Sequence, residues 1–399
     1  EVTNLDPINS DILGISFTIK KNQSWYLPMR YTDKEQRKYL DCDLKVIIDK
    51  LKKIFEDKSI KKTGHNIKFD TKVLKIIGIN IKGIVFDNMI AAHLLNPSAK
   101  SISLHTLTSE YLNIDIKKID ELIGRGKNQL SISQISIEEA ANYSSERSDS
   151  IFKLTSILKP KLKDNSLFEI LRTIELPLSQ VLANMEYLGV YVDSKMLMTM
   201  SERVGIKLNK LKKEIFAETG HEFNINSTQQ LAKVLFDDLE LDKIKKRSTA
   251  EDVLKKLCSQ HILPKYLLEY RKYNKLKNTY LDSLQGLINP NTNRIHSTFN
   301  QTITSTGRLS SKNPNFQNIP IRRDEGKDIR KSFISDKANW KILSADYSQV
   351  ELRIMAHYSQ DSTLIKAFQN DEDIHSRTAS LVYNVPFNMV VPEMRRTAK

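Results

Sequence analysis

Cysteine is almost absent from this chain of 399 residues: there are two, Cys42 and Cys258. Set so far apart, they offer neither a disulfide framework nor the spacing of a zinc site, and they suit a reducing cytosol. No signal peptide is present, and no apolar run reaches the length of a membrane span. A cytoplasmic protein with no membrane partner is expected. Acidic residues are also scarce, 48 Asp and Glu against 62 Lys and Arg, leaving a net charge of +14 that points to a polyanionic partner. Arginine is thin where lysine is plentiful: residues 1–289 hold 38 Lys and 8 Arg, residues 290–399 hold 7 Lys and 9 Arg. The planar guanidinium fork grips phosphates and base edges as an ammonium cannot, so the C-terminal part is where such contacts are expected. The length suffices for two or three domains with cores of their own.

Within the first 160 residues, DILGISFTI (Asp11 to Ile19) and SWYLPM (Ser24 to Met29) read as strands around a Lys-Lys-Asn-Gln turn. Leu44 to Phe55 carries apolar residues at helical spacing. GHNIKFDTKVLKIIGI (Gly64 to Ile79) predicts a second helix with Asn66 as its cap and Asp70 one turn on. Further helices are expected over Phe86 to Leu95, Leu104 to Leu112 and Ile137 to Leu158. Strands followed by helices make an α/β domain.

A helical run over Leu167 to Leu188 stops at Gly189, and Val190 to Val192 reads as extended. Asp193 then caps a long helix through Phe216. Ser227 to Gln230 and Ser248 to Glu251 fit the capping-box pattern, and between them lies the basic run Lys243 to Arg247. Such a run is either a solvated face or a phosphate contact. A long helix is expected over Pro264 to Ile288, then a strand over Arg294 to Thr302. In KILSADYSQVELRIMAHYSQD (Lys341 to Asp361), Ile342 to Ala345 reads as a short buried strand ending at Asp346, followed by a helix. Asp346 there either holds a hard cation at a sheet edge or caps the helix that follows.

DYSQVELR (Asp346 to Arg353) resembles the first catalytic motif of family A DNA polymerases. TSTGRLSSKNPNFQNIPIR (Thr304 to Arg322), DIHSRTA (Asp373 to Ala379) and RRTAK (Arg395 to Lys399) resemble motifs of the same family in the same order. IELPLSQVLANMEYLGVYVD (Ile174 to Asp193) resembles the opening of its polymerase domain. The resemblance implies an α/β, RNase H-like 3′–5′ exonuclease domain over residues 1–160. A partial α+β polymerase right hand over 161–399 is implied to follow, with its helical thumb at 175–290, palm sheet at 291–362 and the start of the fingers at 363–399.

The activity so implied is DNA-templated DNA synthesis, in replication and repair, by a monomer acting on primer-template DNA and dNTP with a two-metal Mg²⁺ site. Asp346 and the carbonyl of Tyr347 would be metal ligands. Glu351 would crowd the sugar 2′ position. Tyr347, Gln349, Arg322, His375, Arg395 and Lys399 would meet the nucleotide, with Lys399 also in the catalytic set. Arg308 and Gln317 would read the minor groove at the primer end, where every correct pair presents common acceptors. KKRST (Lys245 to Thr249) resembles the thumb tip, so Lys246, Arg247, Ser248 and Thr249 would grip the duplex backbone, with Lys277 on the next helix. The connection here is shorter than is usual in the family.

In the first domain, Glu1 matches the Glu of the first exonuclease motif, and Asn66 and Asp70 match the second. Glu1 and Asp70 would be metal ligands, and Tyr143 would join them as the catalytic tyrosine of the third motif. That motif places an Asp four residues after the Tyr, where this chain has Arg147. A cation there repels Mg²⁺. Asp149, two residues further, points about 200° round the helix from the Tyr-facing side. The domain is therefore read as exonuclease by descent, its proofreading in question. The family's second catalytic carboxylate lies in a later His-Asp-Glu motif that residues 1–399 do not contain, and the first-motif Asp would precede Glu1. The chain is thus expected to be part of a longer polymerase, and alone to bind DNA without extending primers. Two other readings stand open: a nuclease that uses the polymerase half as a DNA platform, and a non-catalytic DNA-binding protein.

Overall fold

Two segments of alternating residues meet around the expected turn: β1 (Gly14–Lys20) and β2 (Gln23–Pro28) run antiparallel, with Ile15 opposite Leu27 and Phe17 opposite Trp25. The computed structural model describes residues 1–4, 6–29, 44–126, 129–130, 132–320 and 324–398. The helix α1 (Leu44–Phe55) turns Ile47, Ile48 and Leu51 onto this layer. β3 (Lys62–Gly64) leads into α2 (Ile67–Ile76) and pairs in parallel with β4 (Ile84–Asp87), a strand–helix–strand crossover. α3 (Asn88–Leu95), α4 (Leu104–Leu112) and the short α5 (Ile119–Ile123) follow. The helix expected over Phe86 to Leu95 thus begins two residues later, because Phe86 and Asp87 finish β4. α6 (Ile137–Asp164) opens with a capping box of Ser136 and Glu139. Its Leu154, Leu158 and Leu162, one turn apart, are fully buried against Phe86, Ile90, Leu104 and Leu107.

α7 (Phe168–Ile170) passes through a π turn at Leu171–Glu175 into α8 (Leu176–Leu188). Gly189 ends it with φ +64, where an added Cβ would stand 2.8 Å from the His296 ring. After β5 (Val190–Tyr191), Asp193 caps α9 (Ser194–Thr219) by accepting from Met196 N at 3.0 Å. α10 (Thr228–Lys233), α11 (Glu251–Leu257) and α12 (Leu263–Lys275) close a core of Leu231, Leu235, Leu254, Leu257 and Leu267. The expected capping box at Ser248 does not form, since α11 starts at Glu251 and Ser248 Oγ accepts from Ala250 N in a turn. The single long helix expected to Ile288 is interrupted by a π turn at Leu276–Asp282 before α13 (Ser283–Gly286).

β6 (Ile288–Asn289) and β7 (Arg294–Ile295) complete a three-stranded antiparallel sheet in the order β5-β7-β6. β8 (Thr298–Asn300) pairs instead with β9 (Ser310–Lys312). The strand expected over Arg294 to Thr302 is split because His296 turns its Nδ1 to the Glu186 carbonyl and buried Ser297 bonds Ser311 Oγ and Pro314 O. α14 (Asp324–Lys331) leads to a bridge between Val192 and Phe333. All of this belongs to one unit, Glu1–Ala338.

The second unit, Asn339–Lys399, carries α15 (Val350–Ser359), α16 (Ser362–Gln369), α17 (Ile374–Tyr383) and α18 (Pro392–Ala398). The buried strand expected at Ile342 to Ala345 is not formed: the stretch has no regular structure and Leu343 is 90% exposed. A strand is stable only with hydrogen-bonding neighbours, and among the described residues of this unit there is no other strand. Among the described residues no helix is long and apolar enough to cross a membrane.

Candidate functional site

Two helices of the first unit bring three of the expected exonuclease residues together. α2 presents Asp70 and α6 presents Tyr143, while Glu1 is fastened beside them by backbone bonding to Leu13 and by Ser144 Oγ, which donates to Glu1 Oε1 at 3.0 Å. Asp70 is exposed at its surface yet has protein packed around it. Its carboxyl is pushed up to about 7, first by desolvation and with help from the negative charges of Asp87 and Glu1. Arg147 lies over Tyr143, its guanidinium carbon 5.0 Å from the centre of the ring. Burial and the charge of Arg147 together hold His65 down to about 4, so this imidazole is neutral at pH 7. Its buried Nδ1 has no hydrogen-bond partner among the described residues. Tyr143 is shifted up by burial while Arg147 opposes the shift. Asp149 faces elsewhere, accepting from Asn22 N and pairing with Lys153. Among the described residues no group of three His, Cys, Asp or Glu is arranged to hold a metal ion.

The expected Asn66 cap is corrected: Asn66 takes a left-handed backbone (φ +60) and its side chain caps nothing. Asp87 does the work instead. Its Oδ2 accepts from Ile67 N at 2.7 Å, and its Oδ1 accepts from Asn66 N at 3.2 Å, Met89 N at 2.8 Å and Ile90 N at 3.2 Å. One buried carboxylate thereby closes the N-termini of both α2 and α3. Burial pushes this carboxyl up, and the four N–H donors oppose the shift. Sequence reasoning missed it, although an Asp between an apolar triplet and a helix is a legible cap.

In the stretch expected to form the thumb, Thr228, Gln229, Arg247, Ser248, Thr249 and Arg271 line an open concavity of about 640 Å³. Arg247 is held there by a bidentate pair with Asp237, at 2.7 and 2.6 Å, and Lys245 is paired with Asp252. Lys246 is exposed. Thr249 is 7% exposed and faces inward, its carbonyl accepting from Arg271 Nη1 at 2.5 Å, so its side chain is not presented to a partner as expected. Lys277 is also placed otherwise: its ammonium is tied to Asp282 at 3.0 Å and to Ser201 Oγ at 2.5 Å, bracing α9 against the π turn. Arg308 and Gln317 lie on the exposed loop around β9, where Gln317 Nε2 donates to the Leu309 carbonyl at 2.9 Å.

In the second unit Asp346 is exposed and makes no hydrogen bond or ion pair among the described residues. It does not cap α15, whose first turn is preceded by Gln349 with φ +51 and no side-chain cap. The capping alternative is therefore set aside. Tyr347 is exposed, and Glu351 lies in the first turn of α15. Arg395 grips Asp373, its Nη2 at 2.6 Å from Oδ2. That bond holds the Asp373 carboxyl down to about 2, and Asp373 also caps α17, placing His375 in its first turn. Arg322 and Lys399 lie outside the described residues.

The same division of labour emerges when the chain is compared with known proteins. The family model described as 3′–5′ exonuclease matches residues 1–163, and the one described as DNA polymerase family A matches residues 194–399. DNA polymerase I of Pseudomonas aeruginosa is 38% identical over 408 residues, covering all of this chain and 44% of the relative. DNA polymerase I of Borreliella burgdorferi is 40% identical over 402 residues, again covering the whole chain and 43% of the relative. This chain therefore spans less than half the length of these curated relatives. A solved structure, the POL domain of Pol1 from M. smegmatis in complex with DNA primer-template and dNTP, superposes with a TM-score of 0.82 at 30% identity. It covers 99% of this chain and 65% of that one. A match over more than half of the residues, supported by the 3′–5′ exonuclease match ahead of it, shows that the chain belongs to DNA polymerase family A.

Proposed function

We propose that the protein containing this chain extends a DNA primer, transferring a nucleotide from dNTP to the primer 3′-hydroxyl under the direction of a template. The reading takes it as a cytoplasmic monomer. The observation that carries it is the family A match over residues 194–399, which includes Asp346 and the motifs that follow. Asp346, with the Tyr347 carbonyl, is the natural holder of a magnesium ion: an exposed carboxylate with no competing partner among the described residues suits a hard cation that also takes phosphate oxygens. Such an ion, when bound, stabilises charge on the phosphate undergoing transfer.

The rest of the work falls to the chain's own groups. Arg308 and Gln317 meet the primer end. Lys246, Arg247 and Ser248 meet the duplex backbone, Arg247 by exchanging the Asp237 carboxylate for phosphate. Such contacts are sequence-neutral and weaken with salt, as a copying enzyme requires. Thr249 leaves this set because it is buried, and Lys277 because its ammonium is already held by Asp282 and Ser201. Asp373 aligns Arg395 beside the first turn of α17, so that Arg395 and His375 offer positive charge and a ring nitrogen to the triphosphate, with Arg322 and Lys399 assigned there as well. Gln349 and Glu351 are assigned to the incoming nucleotide and its sugar.

The exonuclease-like half is read as a poor metal site. Asp70 holds its proton near neutral pH, Asp87 is consumed by two helix ends, and the fixed charge of Arg147 beside Tyr143 repels a cation. Template-directed synthesis by the full-length protein, measured with and without Asp346→Ala, tests the assignment: undiminished synthesis in the variant refutes it.

A further inference from the structure

The helix that carries Asp70 has a second face with a different task. Lys68 and Lys72, one turn apart on α2, both end on the carboxylate of Glu186 from α8, Lys68 on Oε1 at 2.5 Å and Lys72 on Oε2. The Glu186 side chain is 1% exposed and the two lysines 10% and 7%. Glu186 Oε1 also accepts from Phe299 N at 2.8 Å, and Lys68 donates in turn to the Phe299 carbonyl. Both backbone groups of the middle residue of β8 are thus bonded to the ion cluster. Two residues on, Gln301 is anchored to Glu175 through its Nε2, 2.6 Å from the carboxylate. The chain then runs through the exposed loop that bears Arg308 and returns as β9.

Buried ion clusters are a poor way to gain stability, because apolar side chains of similar volume do as well or better. In some proteins such a cluster instead fixes register and direction. We propose that α2 and Glu186 brace the primer-reading loop: Lys68 and Glu186 are positioning residues that set β8, and through it Arg308, independently of any nuclease chemistry at Asp70. This gives the exonuclease-like half a function in synthesis that survives the replacement at Arg147. The inference rests on the assignment of the Arg308 loop to the primer end.

The test uses the full-length protein with matched and mismatched primer ends. Lys68→Met is compared with Lys50→Met, an exposed lysine on α1 that serves as the control. We expect Lys68→Met to lower the preference for extending a matched over a mismatched end roughly tenfold, with the KM for dNTP unchanged and the control like wild type. A variant with the whole cluster made apolar (Lys68→Met, Lys72→Met, Glu186→Leu) removes the risk of a stranded buried charge. It is expected to fold and still to lose the preference. Wild-type discrimination in that folded apolar variant overturns the proposal. If the wild-type protein itself shows no template-directed synthesis, the assignment of function fails and not the brace.

Discussion

Replacing Asp87 by Ala removes the one group that closes two helices at once. Four backbone N–H groups then lose their acceptor, at distances now between 2.7 and 3.2 Å, in a place that is 1% exposed to water. The loss of a helix cap costs about 0.5–2 kcal/mol. Two caps, both buried and both at the positive end of a helix dipole, bring the expected loss to about 3 kcal/mol. That is a large part of the stability of an ordinary domain, about 5–15 kcal/mol. Asp87→Asn keeps one carbonyl oxygen and turns an NH₂ toward the other donors, so it should lose about half as much. Urea unfolding followed by far-UV circular dichroism gives the free-energy differences, and hydrogen exchange at Ile67, Met89 and Ile90 locates them. Exchange should accelerate at these amides before it does in α9. A stability within about 0.5 kcal/mol of wild type for Asp87→Ala would refute the double-cap reasoning.

Asp70, held near 7 against an ordinary 3.8, keeps its proton in the folded chain where the unfolded chain has lost it. Stability is therefore lost as pH rises from 3.8 through 7, so Asp70→Asn should raise the urea midpoint at pH 8 and leave it unchanged at pH 3.5; equal shifts at both values contradict this. Arg147→Asp should create Mn²⁺ binding in the first domain, detectable by calorimetry, with none expected in the parent; identical heats in both refute the reading of Arg147 as an obstacle. Asp237→Asn releases Arg247 from its pair and should tighten duplex DNA binding a few-fold at low salt, fading at high salt, with little change in melting temperature because the pair is exposed and screened by solvent. An unchanged affinity at low salt would place Arg247 off the duplex.

Much of the fold was legible because it rests on local rules. The β1–β2 hairpin, the Leu154-Leu158-Leu162 stripe of α6 and the Asp193 cap each follow from residues within a few positions of one another. The pattern of motifs from Thr304 to Lys399 likewise identified the family, and the substitution at Arg147 was visible as a single letter. What the sequence could not determine is where partners come from elsewhere in the chain. Asp87 reaches back 20 residues to cap α2 at Ile67, and Glu186 meets Lys68 across 118 residues. Arg247 and Lys277, which read as free cations in sequence, are paired by carboxylates on neighbouring turns. Ile342 to Ala345 has every local mark of a strand, yet a strand is a relation between segments, and its own unit offers no second one among the described residues. Periodicity, capping and composition are properties of short stretches. Burial, ion pairing and pKa depend on what the folded chain brings alongside, and for this protein the tertiary structure alone decided them.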